Sequence, residues 1–411
     1  MDDTKKITKP KKQSKKKTEK KEADYQYELK FEEQENNNSQ IQKSISKGEY
    51  LEYRIKRLFF FMGYYANNNI FVQTSQDEPF DIVTDLDVYG IYMHNDFNEK
   101  RIWADCKSGN ANELNRISWL IGIKSLINVD DILFVKKGVK TSTKLFANQR
   151  NIQIVDLQML EEIEKRYAID KDDWRNLWNP EINEKNLNTF KNINIPDNQS
   201  YKRIFKFINT YYWASDKYAK IKKTITALKD LAVNIQYPMD FEKTMAIRWG
   251  IYKVIGLFLL AVMEVCRDIY YLNDKDKEQI IIDGLTFGNM SKKRMDDILK
   301  VTNHLANKII ESSCKENHVS MPEIQLNPPE YTEAFLDFIF RIIGNPMSYY
   351  DILRFLDFCL MQYDLYEKEY EYDDIVKIFP HYKDQITAGK TILHFVCHVT
   401  KLPKEIFMLL K

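Results

Sequence analysis

The chain has 411 residues, and its 61 lysines and arginines against 60 acidic residues give a formal net charge of +1. A hydrophobic content of 44% and an aromatic content of 13% are enough for a buried core and exclude a wholly disordered chain. The length favours two domains over one.

The positive charge is concentrated at the N-terminus. Residues 1–22 contain ten lysines and four acidic residues (10 − 4 = +6), which leaves 1 − 6 = −5 for the remainder. Because neither this segment nor the Glu-, Gln- and Asn-rich stretch after it has apolar periodicity, residues 1–42 are predicted to be a disordered lysine-rich tail. Such a tail attracts phosphates regardless of sequence, although a tail that serves only solubility is the simpler interpretation.

The cysteines and the apolar runs favour a soluble cytoplasmic protein that does not associate with membranes. The cysteines are odd in number and form no CxxC motif, which argues against a disulfide framework or a thiolate zinc site; they are Cys106, Cys266, Cys314, Cys359 and Cys397. The N-terminus has no apolar segment typical of a secretory signal. The most apolar run, 254–262, lies between Lys253 and Glu264 and is too short to span a bilayer, so it predicts a core helix.

The first predicted element after the tail is an amphipathic helix that ends at Gly63. Its apolar residues recur at helical spacing and are Leu51, Ile55, Leu58, Phe59 and Met62. Glu52 lies beside this apolar stripe and is expected to point inward at its border. The alternative is an ordinary first-turn glutamate that the helix dipole favours. A strand is predicted next, over 70–74.

Residues 81–107 predict a hairpin of two short strands. Asp81, Asp85 and Asp87 fall on alternate positions of the first strand and therefore on one face. The polar segment 94–100 has turn chemistry, and on the second strand Asp105 and Lys107 share a face. Antiparallel pairing of the two strands would bring Asp87 near Asp105, with Lys107 beside them.

Carboxylates that converge repel one another, and a hard divalent cation between them relieves the repulsion. A lysine on the same face can orient or help to deprotonate a metal-bound water and can offset negative charge on a phosphate. The alternative interpretation is that the acids are solvated residues flanking a turn and that Lys107 is simply exposed. Patterns as short as D-x-D and D-x-K recur by chance.

The following residues complete an α/β pattern. Helices are predicted over 113–128, 142–148 and 157–167, and buried-type strands over 132–135 and 152–155. Helices on either side of a central mixed sheet are the economical arrangement of these elements. Residues 43–167 are therefore predicted to form an α/β sandwich.

At this point the chain resembles the PD-(D/E)XK restriction-endonuclease-like nucleases. The order of elements is theirs: a helix with Glu52, a strand DLDV with Asp87, a strand ADCK with Asp105 and Lys107, and then an amphipathic helix. The likeness is greatest to the branch of methylation-dependent restriction enzymes and archaeal Holliday-junction resolvases. It covers residues 45–167.

The resemblance implies a restriction-endonuclease-like α/β/α sandwich with a mixed sheet and a site for Mg²⁺ or Mn²⁺. Asp87 and Asp105 match the metal ligands of that family, and the backbone carbonyl of Cys106 matches a third. Lys107 matches the catalytic lysine, and Glu52 matches a helix glutamate that in some members binds metal or holds a ligand in place. The chain departs from the family pattern in having Leu86 where the motif has proline, and Asp105 where Glu is commoner.

For other residues near the motif, the sequence gives weaker support for a functional role. Arg116 and Lys124, on the helix after the D-x-K strand, are candidates for gripping nucleic-acid phosphates. Exposed helix cations with no ligand are the alternative. Asp85 is expected to be a solvated acid, and Cys106, which faces away from its neighbours, a small core residue.

The C-terminal half has a different pattern. Residues 168–200 are rich in Asn, contain Pro180 and Pro196, and are predicted to be a linker. Residues 201–411 are predicted to form a separate all-α recognition or regulatory domain. Its predicted helices are 201–235, 241–272, 291–315, 330–343, 347–367 and 390–400.

The resemblance implies a metal-dependent DNA endonuclease that acts in restriction or defence against foreign DNA. Double-strand cleavage would require two active centres, which favours a homodimer. Two alternatives remain open. One is a catalytically silent nucleic-acid-binding or partner-sensing protein on a nuclease-like scaffold, and the other is a nuclease directed at RNA, since the metal chemistry does not discriminate the sugar.

Overall fold

The computed structural model describes residues 46–75, 80–107, 112–193, 200–236, 239–313 and 323–411. The predicted tail over 1–42 lies outside these residues, as does Cys314. Within them, a mixed β-sheet and a large set of helices form the protein, which bears out the prediction of an α/β fold with a helical region.

Five strands form the sheet in the described part of the chain, and their spatial order follows their order along the chain. The first three pair antiparallel, and β3, β4 and β5 pair parallel, so the sheet is mixed as predicted. The strands are β1 (Tyr65–Gln73), β2 (Ile82–Met93), β3 (Glu99–Cys106), β4 (Asp131–Val135) and β5 (Ile152–Val155).

Strand β1 is longer than the sequence predicted. It begins at Tyr65, five residues before the predicted start, and pairs Asn67 with Tyr89. β2 ends at Met93, directly before the segment 94–100 that was predicted as the turn. Pairing with a long neighbouring strand outweighs the low strand propensity of the Asn-rich segment in β1, because strand preference depends strongly on tertiary context.

The helices of the N-terminal part cover both faces of this sheet. They are α1 (Lys47–Phe61), α2 (Glu113–Ile127), α3 (Thr141–Asn148) and α4 (Leu157–Arg166). One core cluster joins α1 and α4 to one face through residues such as Ile55, Val88 and Leu160. A second cluster joins Ile117 of α2 to Trp103 on the opposite face.

Local interactions fix α1, the helix that carries Glu52. Ser46 and Glu49 form a capping box: the Glu49 amide donates to Ser46 Oγ at 3.2 Å and the Ser46 amide donates to Glu49 Oε2 at 2.7 Å. Five residues after Glu49, Arg54 forms a buried two-bond ion pair with Glu164 of α4, at 2.7 and 3.2 Å. The start and the rotation of α1 about its axis are therefore both set by polar contacts.

The described residues of the C-terminal part form helices and the segments that connect them. The predicted helix over 201–235 is interrupted at Ser215 and Asp216, and the other predicted helices are found with shifted ends. Three helices, Pro180–Asn192, Asp274–Phe287 and Tyr372–Ile378, were not predicted. The helices are α5 (Pro180–Asn192), α6 (Ser200–Lys206), α7 (Lys217–Asn234), α8 (Phe241–Ile269), α9 (Asp274–Phe287), α10 (Lys292–Ser313), α11 (Thr332–Gly344), α12 (Ile352–Gln362), α13 (Tyr372–Ile378) and α14 (Tyr382–Thr400). After α6 the chain continues as one π-helical turn, Phe207–Tyr211, and a short helix, Tyr212–Ala214.

The segment predicted as a linker packs against α1. Trp174 and Trp178 are buried, and the Trp178 ring lies 5.4 Å from the rings of both Phe60 and Phe61. The guanidinium of Arg57 stacks over the Trp174 ring at 4.1 Å. Helix α5 begins within this segment at Pro180, while residues 194–199 lie outside the described part. The division into two domains at residues 168–200 stays a prediction.

The apolar run around 254–262 forms the middle of α8. Among the described helices this one alone is long and apolar enough to cross a membrane, but 94% of its most apolar window is buried inside the protein. Residues of α8 share a cluster with Phe338, Phe358 and Phe395 of the helices around it. The prediction of a core helix is therefore confirmed.

Candidate active site

The pairing of β2 with β3 brings the motif carboxylates together. Val88 pairs with Ala104, which sets Asp87, in the middle of β2, beside Asp105, near the end of β3. Asp87 is 8% exposed and Asp105 is 1% exposed. Oδ2 of Asp87 accepts a hydrogen bond of 2.7 Å from the Cys106 amide, which ties the middle of β2 to the end of β3.

Lys107 lies over both carboxylates, as the hairpin pattern predicted. Its Nζ is 3.5 Å from Asp105 Oδ1 and 3.7 Å from Asp87 Oδ2. Burial disfavours the charged ammonium, but Asp105 and Asp87 outweigh that effect and raise the pKa of Lys107. With a side chain that is 36% exposed, this ammonium connects the buried carboxylates to solvent.

Glu52 is electrostatically coupled to the same group. Burial is the main cause that raises its pKa to about 8, and the negative charge of Asp87 is the second. Burial likewise raises the pKa of Asp87 to about 6, although the Cys106 amide and Lys107 favour its charged form. Two carboxyl groups whose pKa values lie well above their usual range are typical of functional sites.

Asp105 is contacted by a second cation besides Lys107, the guanidinium of Arg116 on α2. Its Nε donates to Asp105 Oδ2 at 2.9 Å and its NH2 group donates to Oδ1, so both carboxylate oxygens are engaged. The guanidinium also stacks on the Trp119 ring at 3.7 Å. The sequence made Arg116 a candidate for binding substrate phosphates, which stays a prediction, and in this structure its guanidinium binds an acid of the motif.

The remaining candidates lie outside this group. Lys124 donates from Nζ to the backbone carbonyl of Asp130 at 2.5 Å, near the start of β4. Asp85 is exposed, as expected for a solvated acid. Cys106 is buried in the core cluster of the opposite face, and burial raises the pKa of its thiol.

The donor set suits a hard divalent cation in part. Two adjacent buried carboxylates are ligands that Mg²⁺ and Mn²⁺ prefer, and the backbone carbonyl of Cys106 lies between the motif residues. Yet among the residues that the structure describes, no three His, Cys, Asp or Glu side chains are close enough to hold a metal ion. Asp105 fits a metal only if Arg116 gives up at least one of its oxygens.

The engagement of Arg116 with Asp105 is the feature that sequence reasoning missed. The two residues are eleven positions apart, and residues 108–111, between the strand and the helix, lie outside the described part. The available signal was the position of Arg116 in the first turn of an amphipathic helix that follows the D-x-K strand. A basic residue there points back toward the strand end from which the chain came.

Comparisons with known proteins add no assignment. No protein-family model matches the sequence, no curated protein matches it, and no solved structure matches the fold.

Proposed function

We propose that the chain is a divalent-metal-dependent phosphodiester hydrolase whose active centre comprises Asp87, Asp105, Lys107 and Glu52, and that DNA is its substrate. The observation that carries the proposal is the convergence of two buried carboxylates on the adjacent strands β2 and β3 beneath one partly exposed lysine. The resemblance of residues 45–167 to PD-(D/E)XK nucleases supports the choice of reaction and of substrate.

Each residue has a role in this proposal. Asp87 and Asp105, with the Cys106 carbonyl, would hold Mg²⁺ or Mn²⁺, which when bound polarises a phosphate oxygen and lowers the pKa of water. Lys107 offsets the negative charge that develops on the phosphate in the transition state. Glu52, with a pKa of about 8, holds a proton at neutral pH and can release it to the site.

The test is cleavage of supercoiled plasmid by the full chain with Mg²⁺ or Mn²⁺. Asp87→Asn, Asp105→Asn and Lys107→Met are each expected to lower the rate by about 100-fold or more, because each removes a group that stabilises transition-state charge or holds the metal. Asp85→Asn is the matched control, since Asp85 lies on the same strand but is exposed. Equal cleavage by the wild type and the three motif variants would refute the assignment.

Substrate and context belong to the same proposal. Matched DNA and RNA duplexes in competition separate a DNA nuclease from an RNA-directed one.

Double-strand cleavage would need two active centres. Light scattering is therefore expected to show a dimer at the protein concentration of the assay. A role in restriction or defence predicts that cells expressing the wild type, but not Asp105→Asn, resist infection by phage DNA.

A second candidate is favoured by the contact between Arg116 and Asp105. Because a guanidinium takes both oxygens of Asp105, the site is also consistent with a scaffold that binds nucleic acid or senses a partner without catalysis. This alternative predicts salt-sensitive DNA binding, no turnover with either metal, and no effect of Asp87→Asn on binding.

A further inference from the structure

A small cavity lies between α1, β1, α5, the π-helical turn and α8. Its volume is about 40 Å³. Two lysines line it: Lys56 of α1, 4% exposed, and Lys253 of α8, 9% exposed. The other lining residues include Asn67 and Asn68 of β1 and the indole rings of Trp213 and Trp249.

Neither lysine has an acidic partner. Among the described residues, no ion pair or hydrogen bond engages the ammonium of Lys56 or of Lys253, and Lys56 has only the Tyr53 ring at 5.4 Å. No Asp or Glu lines the cavity. Asp357 and then Glu184 favour the charged form of Lys56, but neither lies within ion-pair distance of it among the described residues. A buried charge without a partner is costly, and burial accordingly lowers the pKa of Lys56 to about 7. An anion in the cavity would stabilise the charged form of both lysines.

Two further donors face the same region. The side-chain nitrogens of Asn67 and Asn68, on β1, are buried and make no hydrogen bond of normal geometry in the described part of the chain, although the hydroxyls of Tyr65 and Tyr53 lie close enough to interact with them. Other amides of the cavity wall are engaged, since Asn183 and Asn209 donate to backbone carbonyls. Two lysines and two amide donors match the charge and the acceptors of a compact dianion.

We propose that this cavity is a binding site for a phosphate-class dianion, held by Lys56 and Lys253 and hydrogen-bonded by Asn67 and Asn68. A cavity of about 40 Å³ has room for about three water molecules, at roughly 10–15 Å³ each on this scale, which suits one tetrahedral oxyanion. The two lysines are 197 positions apart (253 − 56), so the anion would bridge the helix next to the sheet and the central helix of the C-terminal part. The proposal does not depend on nuclease activity.

The source of the phosphate group is either a free ion or a larger molecule. A second cavity of about 250 Å³ shares Ile70 and Trp213 with the first, and the side-chain amide atoms of Gln73 lie in its wall without a hydrogen-bond partner among the described residues. This neighbouring cavity could take the organic part of a small phosphorylated ligand. If a nucleoside monophosphate binds at least tenfold more tightly than sulfate, the ligand is a phosphorylated molecule. If the two bind with equal affinity, the ligand is a free ion.

Sulfate is the probe, because its charge does not change between pH 6 and 9. The full chain is titrated with sodium sulfate at constant ionic strength, and tryptophan fluorescence and the thermal unfolding midpoint are followed, since Trp213 and Trp249 line the cavity. We expect sulfate to raise the midpoint of the wild type. Lys56→Met and Lys253→Met are each expected to weaken sulfate binding at least tenfold.

Two control variants locate the anion. Lys300→Met, an exposed lysine of α10, and Lys107→Met, at the candidate active centre, should both keep the wild-type sulfate affinity. Without sulfate, Lys56→Met and Lys253→Met should unfold at or above the wild-type midpoint, because each removes a buried ammonium that has no partner. Lower midpoints for these two variants would overturn the proposal, as would a sulfate response lost only in Lys107→Met.

The pH dependence provides an independent readout. Burial, and then the charge of Lys253, lowers the pKa of Lys56 to about 7, with Asp357 and Glu184 acting in the opposite direction. Because the anion binds the charged form, sulfate affinity should fall by up to about tenfold per pH unit above pH 7. Affinity that stays constant from pH 6 to 9, or an absence of any sulfate effect on the wild type, would contradict the site.

Discussion

Arg116 decides whether the motif carboxylates can accept a metal. Its guanidinium takes both oxygens of Asp105 and is held in place by stacking on Trp119. A divalent ion and this guanidinium therefore compete for the same ligand. The proposed function accordingly requires that Arg116 turn away when metal and substrate enter, and the phosphates of a nucleic acid are a natural second partner for it.

Arg116→Met tests this competition by a measurement that does not require catalysis. The variant frees Asp105, and we expect the dissociation constant for Mn²⁺, measured by calorimetry, to fall about tenfold. That factor corresponds to about 1.4 kcal/mol, the scale of a charge-assisted hydrogen bond. Lys124→Met is the matched control, because Lys124 lies on the same helix and bonds the Asp130 carbonyl instead. Unchanged Mn²⁺ affinity in Arg116→Met would argue against a metal at Asp105.

Asp364 supplies a pH dependence far from the motif. The residue is fully buried, and burial raises its pKa to about 7. The Tyr370 hydroxyl donates to its Oδ1 at 2.6 Å and partly offsets that effect. The unfolded chain has a carboxyl pKa near 3.9, so between about pH 4 and pH 7 the native state binds one more proton than the unfolded state.

The sign of this effect is that stability falls as pH rises. Because of Asp364, the free energy of unfolding falls by up to about 1.4 kcal/mol for each pH unit. The fall ends above about pH 7, where the carboxyl group is ionised in both states. Urea unfolding at a series of pH values should show this component in the wild type and a shallower slope in Asp364→Asn. Tyr370→Phe should extend the fall to higher pH, because it removes a donor to the carboxylate. Identical slopes for the wild type and Asp364→Asn would contradict the assignment.

The sequence predicted the positions of residues that alternate along strands, but it did not predict the contacts of lysine and arginine side chains. Asp87, Asp105 and Lys107 converge because hairpin register follows from alternation and turn length, which are local. Lys56 and Lys253 meet across 197 positions, and each looks in sequence like an ordinary lysine on a helix. Arg116 was assigned to phosphate for a similar reason, since its partner depends on how α2 docks.

At the scale of elements, α8 is the helix around which the C-terminal part packs. Gly250 lies where α8 meets α5, and a Cβ built on it would be 2.4 Å from Cε2 of Phe190, a residue that is fully buried. Gly122 of α2, in contrast, is exposed and has nothing within 4 Å of such a Cβ. The same substitution should therefore have opposite effects at these two positions.

Gly250→Ala should lower the free energy of unfolding by about 2 kcal/mol, because the Phe190 ring cannot move away from the added methyl group. Gly122→Ala should raise it by about 0.5–1 kcal/mol through helix propensity. Urea unfolding of both variants beside the wild type measures the difference. A stabilised Gly250→Ala would mean that α5 and α8 pack more loosely than the structure indicates.

Elements that the sequence missed lack a strong local signal. Helix α9 presents only a few buried residues, Ile281, Gly284 and Leu285, and α13 only Ile375. Without a continuous apolar stripe, the periodicity that marks α1 is absent from both segments. Their conformation comes from packing on neighbours that are distant in the sequence, so a reading of local pattern could not find them.

At the scale of the whole molecule, the sheet and the C-terminal helices share one core. A single cluster of buried residues contains Tyr65 and Trp103 of the sheet together with Phe258 and Phe358 of the helices. Arg354 of α12 crosses this boundary: its Nη1 donates to the backbone carbonyl of Phe60 at 3.1 Å, and its guanidinium stacks between the rings of Phe60 and Phe379. Two domains that fold separately would not need this contact.

The shared core predicts that the full chain unfolds in one cooperative transition. Circular dichroism, which reports mainly the helices, and tryptophan fluorescence should give the same urea midpoint. Arg354→Met should shift both signals together and lower the free energy of unfolding by about 2 kcal/mol, since it removes a buried charge-assisted hydrogen bond and leaves Asp351 without its partner.

Arg150→Met is the control for that experiment, because Arg150 also donates to a backbone carbonyl and stacks on a ring, that of Phe146, but on the surface. Its effect should stay within about 0.5 kcal/mol. If Arg354→Met instead separates the two signals, so that the helical signal changes midpoint alone, the parts on either side of residues 168–200 unfold independently. The sequence-based division into two domains would then describe the protein better than its continuous core does.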